Sequence, residues 1–316
     1  MSGIAKRFGA VQANRDAGIV VAEGEIHALM GENGAGKSTL MKMLAGLQPP
    51  DAGQMQVRGR DVTGWTTNEA IAAGVGMVHQ HFMLVPTLTV AENVVLGREP
   101  TAGVTLDLAR ATAEVERLCA ESGLQVPAGK LVSELSVGEA QRVEILKVLY
   151  RGAQILLLDE PTAVLSPPEV RELWQVLRRL RDNGATIVLV THKLDEVMDL
   201  TDRITVMRQG ATVAELVTRE TTAEGLAQAM VGRPVDLSVQ VAESKRAGEP
   251  ILTVQGLTVH GAAGTVAVHG VDFEVRAGEI LGIAGVEGNG QTELLEAIAG
   301  LRPVTSGTIA VGGRDV

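Results

Sequence analysis

At 316 residues the chain is long enough for one large domain or two ordinary ones, and its 45% hydrophobic content can fill a core that must be aliphatic, since aromatics supply only 2%. A formal net charge of −10 argues against a broad nucleic-acid surface, and the single cysteine, Cys119, excludes an internal disulfide and suits a reducing compartment. No apolar run approaches the roughly 18 residues of a membrane span, and MSGIAKRFGAVQ lacks the apolar core of a secretory signal, so the expectation is a soluble, cytosolic protein unless a partner holds it at a membrane.

In chain order, the first strand pattern with chemistry behind it is EIHALMG, which runs into GENGAGKST (31–39) and the helical STLMKMLAGL. G-x-x-x-x-G-K-[ST] is complete here as Gly31, Gly36, Lys37 and Ser38. Glycines let the backbone of Gly31, Asn33, Gly34, Ala35, Gly36 and Thr39 turn its N–H groups onto phosphate oxygens, and the helix N-terminus adds its positive end. Lys37 would reach the β- and γ-phosphates, and the Ser38 hydroxyl would hold Mg²⁺. GVGMVHQ is a second apolar strand, and Thr89 to Lys130 reads as mostly helical.

LSVGEAQRVEILKVLY (135–150) opens with Ser136 and Glu139 as a capping box, a plain helix start or a cap able to grip a phosphate. QILLLDEPT (154–162) is a buried strand ending in two carboxylates, where ligands bind in open parallel sheets. Asp159 would serve the Mg²⁺ shell and Glu160 would polarise an attacking water. In RELWQVLRRLRDN, Leu173, Val176, Leu177 and Leu180 recur at helical spacing, leaving the arginines a solvated face. ATIVLVTH is the next strand and ends at His192; TVAELV reads as a short strand and TTAEGLAQAMV as a short helix. Trp65, Trp174 and Tyr150 are read as packing residues. His79 and His81 are read as local contacts rather than metal ligands.

The polar, Pro-flanked stretch 233–250 reads as a linker, between a domain over 1–232 and the opening of another over 251–316. That division comes from a self-comparison: Gly24–Val62 and Gly278–Val316 align without a gap at an offset of 254, with 17 identities in 39 positions. In the second copy GVEGNGQT keeps the loop's glycines but has Gln291 in the lysine's place. The copy is expected to supply one strand–loop–helix unit of a degenerate domain. Strands alternating with helices imply an α/β fold.

This order of motifs resembles the ATP-binding subunits of ABC transporters, over nearly the whole chain. GENGAGKS matches the family's Walker A, Gln80 its Q-loop glutamine, LSVGE its signature, ILLLDE its Walker B and His192 its switch histidine. The resemblance implies a P-loop NTPase fold with a mainly parallel core sheet, an antiparallel β subdomain and a helical subdomain. It implies Mg²⁺ and ATP as cofactors, with Glu160, His192 and Gln80 catalytic and Ser38, Gln80 and Asp159 at the metal. Phe8 would stack on adenine. Ser136 and Gly138 would contact nucleotide across a pair of ATPase halves. GMVHQHFMLVPTLTVAENVVLG, DEPTAVLSPPE and EGNGQTELLEAIAGL look like the tandem ATPases of sugar and nucleoside importers, most of all the nucleoside branch. The implied partners are two hydrophobic permease subunits, an extracytoplasmic substrate-binding protein and a second ATPase half, at the cytoplasmic face of the cell membrane, with no nucleic acid.

The chain departs from that pattern in four respects. Val137 and Glu139 replace the usual signature residues, Ser166 stands at the D-loop aspartate, most of the first strand is expected to be missing, and the second copy is incomplete. Hydrolysis is therefore expected to be weak and to rise with protein concentration, as Lys37 borrows Ser136 from a second chain. The rival expectation is a soluble tandem ATPase acting on ribosomes or DNA.

Overall fold

The computed structural model describes residues 1–102, 105–233, 248–261, 264–285 and 288–316. It divides into two compact units, Met1–Leu237 and Ser238–Val316. Residues 234–247 of the expected linker lie outside the described residues, and the linker's last residue, Pro250, already begins a strand.

Unit 1 opens with β1 (Ser2–Phe8), β2 (Val11–Ala17), β3 (Ile26–Met30) and α1 (Lys37–Leu44). After β4 (Ala52–Gln54) come the ribbon β5 (Gln56–Val57) and β6 (Arg60–Asp61), α2 (Thr67–Ala72) and β7 (Val75–Val78). A helical stretch holds α3 (Val90–Val95), the ribbon β8 (Thr101–Ala102) and β9 (Thr105–Leu106), α4 (Leu108–Ser122) and α5 (Val137–Tyr150). The unit then runs through β10 (Ile155–Asp159), α6 (Pro167–Asp182), β11 (Thr186–Val190), α7 (Leu194–Leu200), β12 (Arg203–Arg208), β13 (Ala211–Val217) and α8 (Ala223–Val231).

Its nine-stranded sheet has the order β4-β1-β2-β13-β12-β3-β11-β10-β7. The five strands from β12 to β7 are parallel, and β13 turns antiparallel against β12, carrying the sheet on into the antiparallel β1, β2 and β4. The antiparallel part is thus continuous with the parallel core. β3 and β11 are buried at every residue, as strands covered on both faces must be. His27, the second residue of β3, has both ring nitrogens occupied, by Glu25 at 2.9 Å and Thr205 at 2.8 Å.

Helix starts are capped from the sequence: Thr66 with Glu69, Thr89 with Glu92 and Ser136 with Glu139 each form a reciprocal capping box. Along α6, Leu173, Leu177 and Leu180 are buried as the spacing predicts. Trp65 and Trp174 pack on core clusters, Cys119 is buried, and Tyr150 packs with its hydroxyl donating to Glu114 at 2.7 Å. Burial, followed by that bond, pushes the Tyr150 pKa up to about 12.

Three expectations are corrected. The first strand is present: β1 runs seven residues and pairs with both β2 and β4, although its counterpart β14 (Pro250–His260) in the second unit has eleven. The stretch 89–130 is helical only in part, because Gly97 at φ 83° and Pro100 end α3's turn and admit the β8–β9 ribbon. Finally, the second copy of β3 forms no strand. Unit 2 holds β14, β15 (Val266–Arg276), α9 (Gln291–Ile298), β16 (Ser306–Val311) and β17 (Arg314–Asp315) in a sheet ordered β15-β14-β16-β17. Residues 280–284, aligned with β3, lie outside that sheet, with Ile280 98% exposed. In unit 1 β3 is held between β11 and β12; among the described residues unit 2 offers no such neighbours.

No helix among the described residues is long and apolar enough to cross a membrane.

Candidate functional site

Four adjacent parallel strands, β3-β11-β10-β7, release their C-terminal ends side by side, and each end delivers a predicted residue. The phosphate loop follows β3, His192 follows β11, Glu160 follows β10 and Gln80 follows β7. Together with Asn33, Gly34, Ala35, Gly36, Lys37, Ser38 and Thr39 they line one open cleft of about 530 Å³, whose remaining wall is Val11, Gln12 and Ala13 of β2.

The loop's glycines answer to close approach as well as conformation. A Cβ on Gly31 would lie 2.2 Å from the Met207 carbonyl oxygen, and one on Gly36 would lie 2.3 Å from the Ala13 carbonyl oxygen. Gly36 caps α1 in left-handed backbone, φ 94°. The Lys37 ammonium is buried and donates to the Gly31 and Glu32 carbonyls at 2.8 and 3.0 Å. It thus sits inside the loop it is meant to serve. Burial lowers its pKa, against the pull of Glu160 and Asp159.

Asp159 ends β10, buried, and accepts a bond from the Ser38 hydroxyl at 3.3 Å; burial is the main cause raising its pKa. Glu160, one residue on, has φ 47°, a strained value for a side-chain-bearing residue, fixed by its N–H bond to the Val190 carbonyl at 2.9 Å. Its carboxylate lies 3.1 Å from His192 Nδ1.

Sequence reasoning missed the group that holds these two loops together. Glu196, buried on α7, accepts the hydroxyls of Thr162 (2.5 Å) and Thr191 (3.1 Å), one from each loop, while Lys193 donates to the Thr162 carbonyl at 3.0 Å. It also missed Asn14 on β2, fully buried, whose Nδ2 donates to the Gly36 carbonyl at 3.2 Å. The only signal lay in the repeat, where Val268 takes the place of Asn14.

Some predicted residues stand elsewhere. Phe8 sits at the β1–β2 turn, 48% exposed, with the Lys6 ammonium 5.8 Å from its ring, and does not line the cleft; its hairpin partner Val11 does. Ser136 and Gly138 begin α5 and also lie outside the Lys37 cleft. A Cβ on Gly138 would meet the Glu169 carboxylate at 2.4 Å, a contact that this flexible side chain would have to move to relieve. Ser166 caps α6, with its N–H and hydroxyl both donating to Glu169.

Unit 2 repeats the loop's closing turn. Gly290 has φ 93° and a Cβ there would lie 2.2 Å from the Ala267 carbonyl oxygen, matching Gly36 against Ala13. The Gln291 side chain lies against Gly285, where a Cβ would meet its amide nitrogen at 1.8 Å. Residues 286 and 287 of GVEGNGQT lie outside the described residues.

A lysine-bearing glycine loop at a strand-to-helix junction, with a carboxylate-ending strand two places along the same parallel sheet, defines a P-loop nucleotide-binding cassette. A family model described as "ABC transporter" matches residues 15–163 and 268–316. The chain belongs to that family. It is 47% identical over 319 residues to the nucleoside import ATP-binding protein NupA of Lactococcus lactis subsp. cremoris and 48% identical over 319 residues to the guanosine import ATP-binding protein NupO of Bacillus subtilis. Each match takes in 100% of this chain and 62% of the relative, so the chain spans under two thirds of their length. Among solved structures it resembles a dimeric ATP-binding cassette in a post-hydrolysis state bound to ADP and Pi. That match is 26% identical with a TM-score of 0.60, covering 69% of this chain and 97% of the other.

Proposed function

We propose that the chain binds Mg·ATP in the Lys37 cleft and hydrolyses it, as the ATP-binding subunit that powers import of a nucleoside or simple sugar. The observation that carries this reading is the convergence of Lys37, Ser38, Asp159, Glu160, His192 and Gln80 at four neighbouring strand ends. The names of the relatives support import over the ribosome- or DNA-directed rival.

The donor set suits Mg²⁺. Ser38 Oγ and Asp159 Oδ1 are hard oxygens 3.3 Å apart, Gln80 can add a carbonyl oxygen from the same cleft, and a buried carboxylate with a raised pKa is one that a cation would relieve. Once bound, the ion neutralises phosphate charge. The protein's own groups do the rest. Lys37 exchanges its loop carbonyls for phosphate oxygens, and the loop amides with the α1 N-terminus hold the transferring group. Glu160 accepts a bond from the attacking water and takes its proton as the new O–P bond forms and the ADP oxygen leaves, and His192 holds the Glu160 carboxylate in place.

Ser136 and Gly138, outside this cleft, are left to serve a cleft on another ATPase half or a second copy of the chain. The partners that complete the reading are two hydrophobic permease subunits and an extracytoplasmic substrate-binding protein, with the chain peripheral at the cytoplasmic face of the membrane. Replacing Glu160 by Gln tests the assignment. Turnover should fall about 100-fold or more while ATP stays bound; hydrolysis at the parent rate would refute it.

A further inference from the structure

Gln80 reaches the cleft from an irregular segment, and among the described residues its carboxamide makes no hydrogen bond, so its place is set by its backbone. From Gln80 to Leu84 that backbone finds no backbone partner either. Its first anchor comes at Met83, where two side chains of α5 grip one residue from both sides. The Met83 N–H donates to the Glu144 carboxylate, and the Lys147 ammonium donates to the Met83 carbonyl at 2.6 Å. Glu144 and Lys147 also pair with each other at 3.4 Å, three residues apart on the same face of α5, with side chains only 6% and 14% exposed. Removing Lys147 leaves the buried Glu144 carboxylate without its cation, and removing Glu144 leaves the Met83 N–H without its acceptor, the costly way to break such a pair.

The same device recurs two residues on. Buried Asn93 of α3 accepts the Val85 N–H at 2.8 Å and donates to the Val85 carbonyl at 3.1 Å. The carbonyls of Pro86 and Leu88 then accept from Ser133 and Val132, just ahead of Ser136. The backbone from Met83 to Leu88 is thereby built into the helical region, while the Met83 side chain stays 63% exposed. Three residues of chain then separate a fixed point on α5 from Gln80, a reach of about 10 Å at full extension.

We infer that Glu144 and Lys147 are positioning residues for Gln80: their grip on Met83 makes Gln80 follow α5, the helix whose N-cap is Ser136. This rests on the Mg·ATP reading above.

The test is a double-mutant cycle between Glu144→Ala and Gln80→Ala on the full chain, read as the Mg²⁺ concentration needed to saturate binding of a fluorescent ATP analogue, and as turnover. Glu144→Ala should raise that Mg²⁺ concentration and lower turnover, each about tenfold. Glu144→Gln, which keeps an acceptor for Met83, should restore both to within about threefold. In the Gln80→Ala background the Glu144 change should add less than about twofold. Losses that add in full in that background, or a Glu144→Ala chain that behaves as the parent, would overturn the inference. Hydrogen exchange keeps the grip testable where the parent binds no nucleotide, an outcome that would refute the Mg·ATP reading instead. Glu144→Ala should free the Met83 amide while the rest of α5 stays protected, and an unchanged Met83 amide refutes the grip itself.

Discussion

Gly36 and Gly290 sit in left-handed backbone at φ 94° and 93°, each facing a β-strand carbonyl at a distance no Cβ tolerates. Gly36→Ala should therefore carry both a backbone and a steric penalty, and lower stability by at least about 2 kcal/mol in urea unfolding. Gly34, at φ 81° with open space around it, would carry the backbone penalty alone. Glycines of this kind were legible in the sequence because a phosphate loop encodes its geometry locally. Asn14 was not. Its partner Gly36 lies 22 residues away, and a buried Asn within a strand has no period or spacing to announce it. Glu160 stands between the two. Its chemistry was legible from the apolar strand before it, whereas its φ of 47° follows from a bond to Val190 on the next strand.

The helices of unit 1 depend on carboxylates at their first turns. Donation from Thr89 N–H holds Glu92 below its ordinary value of 4.5, Ser136 N–H does so for Glu139, and the Ser166 hydroxyl and N–H do so for Glu169. Because the folded values lie below 4.5, the unfolded chain takes up protons first as pH falls. The contribution of these caps is complete above pH 4.5 and is lost as pH drops through the folded values. Thermal melts should accordingly show midpoints falling below pH 4.5, and a chain with Glu92, Glu139 and Glu169 all changed to Gln should lose part of that slope, since Asp51, Asp61, Glu69, Glu99 and Glu114 are held low as well. Caps were legible because they lie within four residues of chain. Strand order was not, since β3, β11, β10 and β7 become neighbours through crossovers that no local pattern records. The role of Ser166 likewise needed the structure, where it serves its own helix through Glu169.

The two units differ in how much core supports them. Among the described residues unit 1 buries three aliphatic clusters around its nine-stranded sheet, whereas unit 2 has one, built from Val254, Leu257, Val259, Val268, Leu294, Ala297 and Ile309. A small core stabilises weakly, so calorimetry should resolve two transitions, with unit 2 melting first. Hydrogen exchange during the first transition should locate the loss in β14 to β16. The unpaired segment ILGIA (280–284) adds a consequence of a colloidal kind. It is uncharged, rich in β-branched and aliphatic side chains, and exposed throughout, with Ile280 at 98%. Such stretches recruit one another edge to edge. In a crowded tube the chain will cohere through this tacky seam, and turbidity will climb alongside any gain from two clefts meeting. Light scattering therefore belongs beside every dilution series.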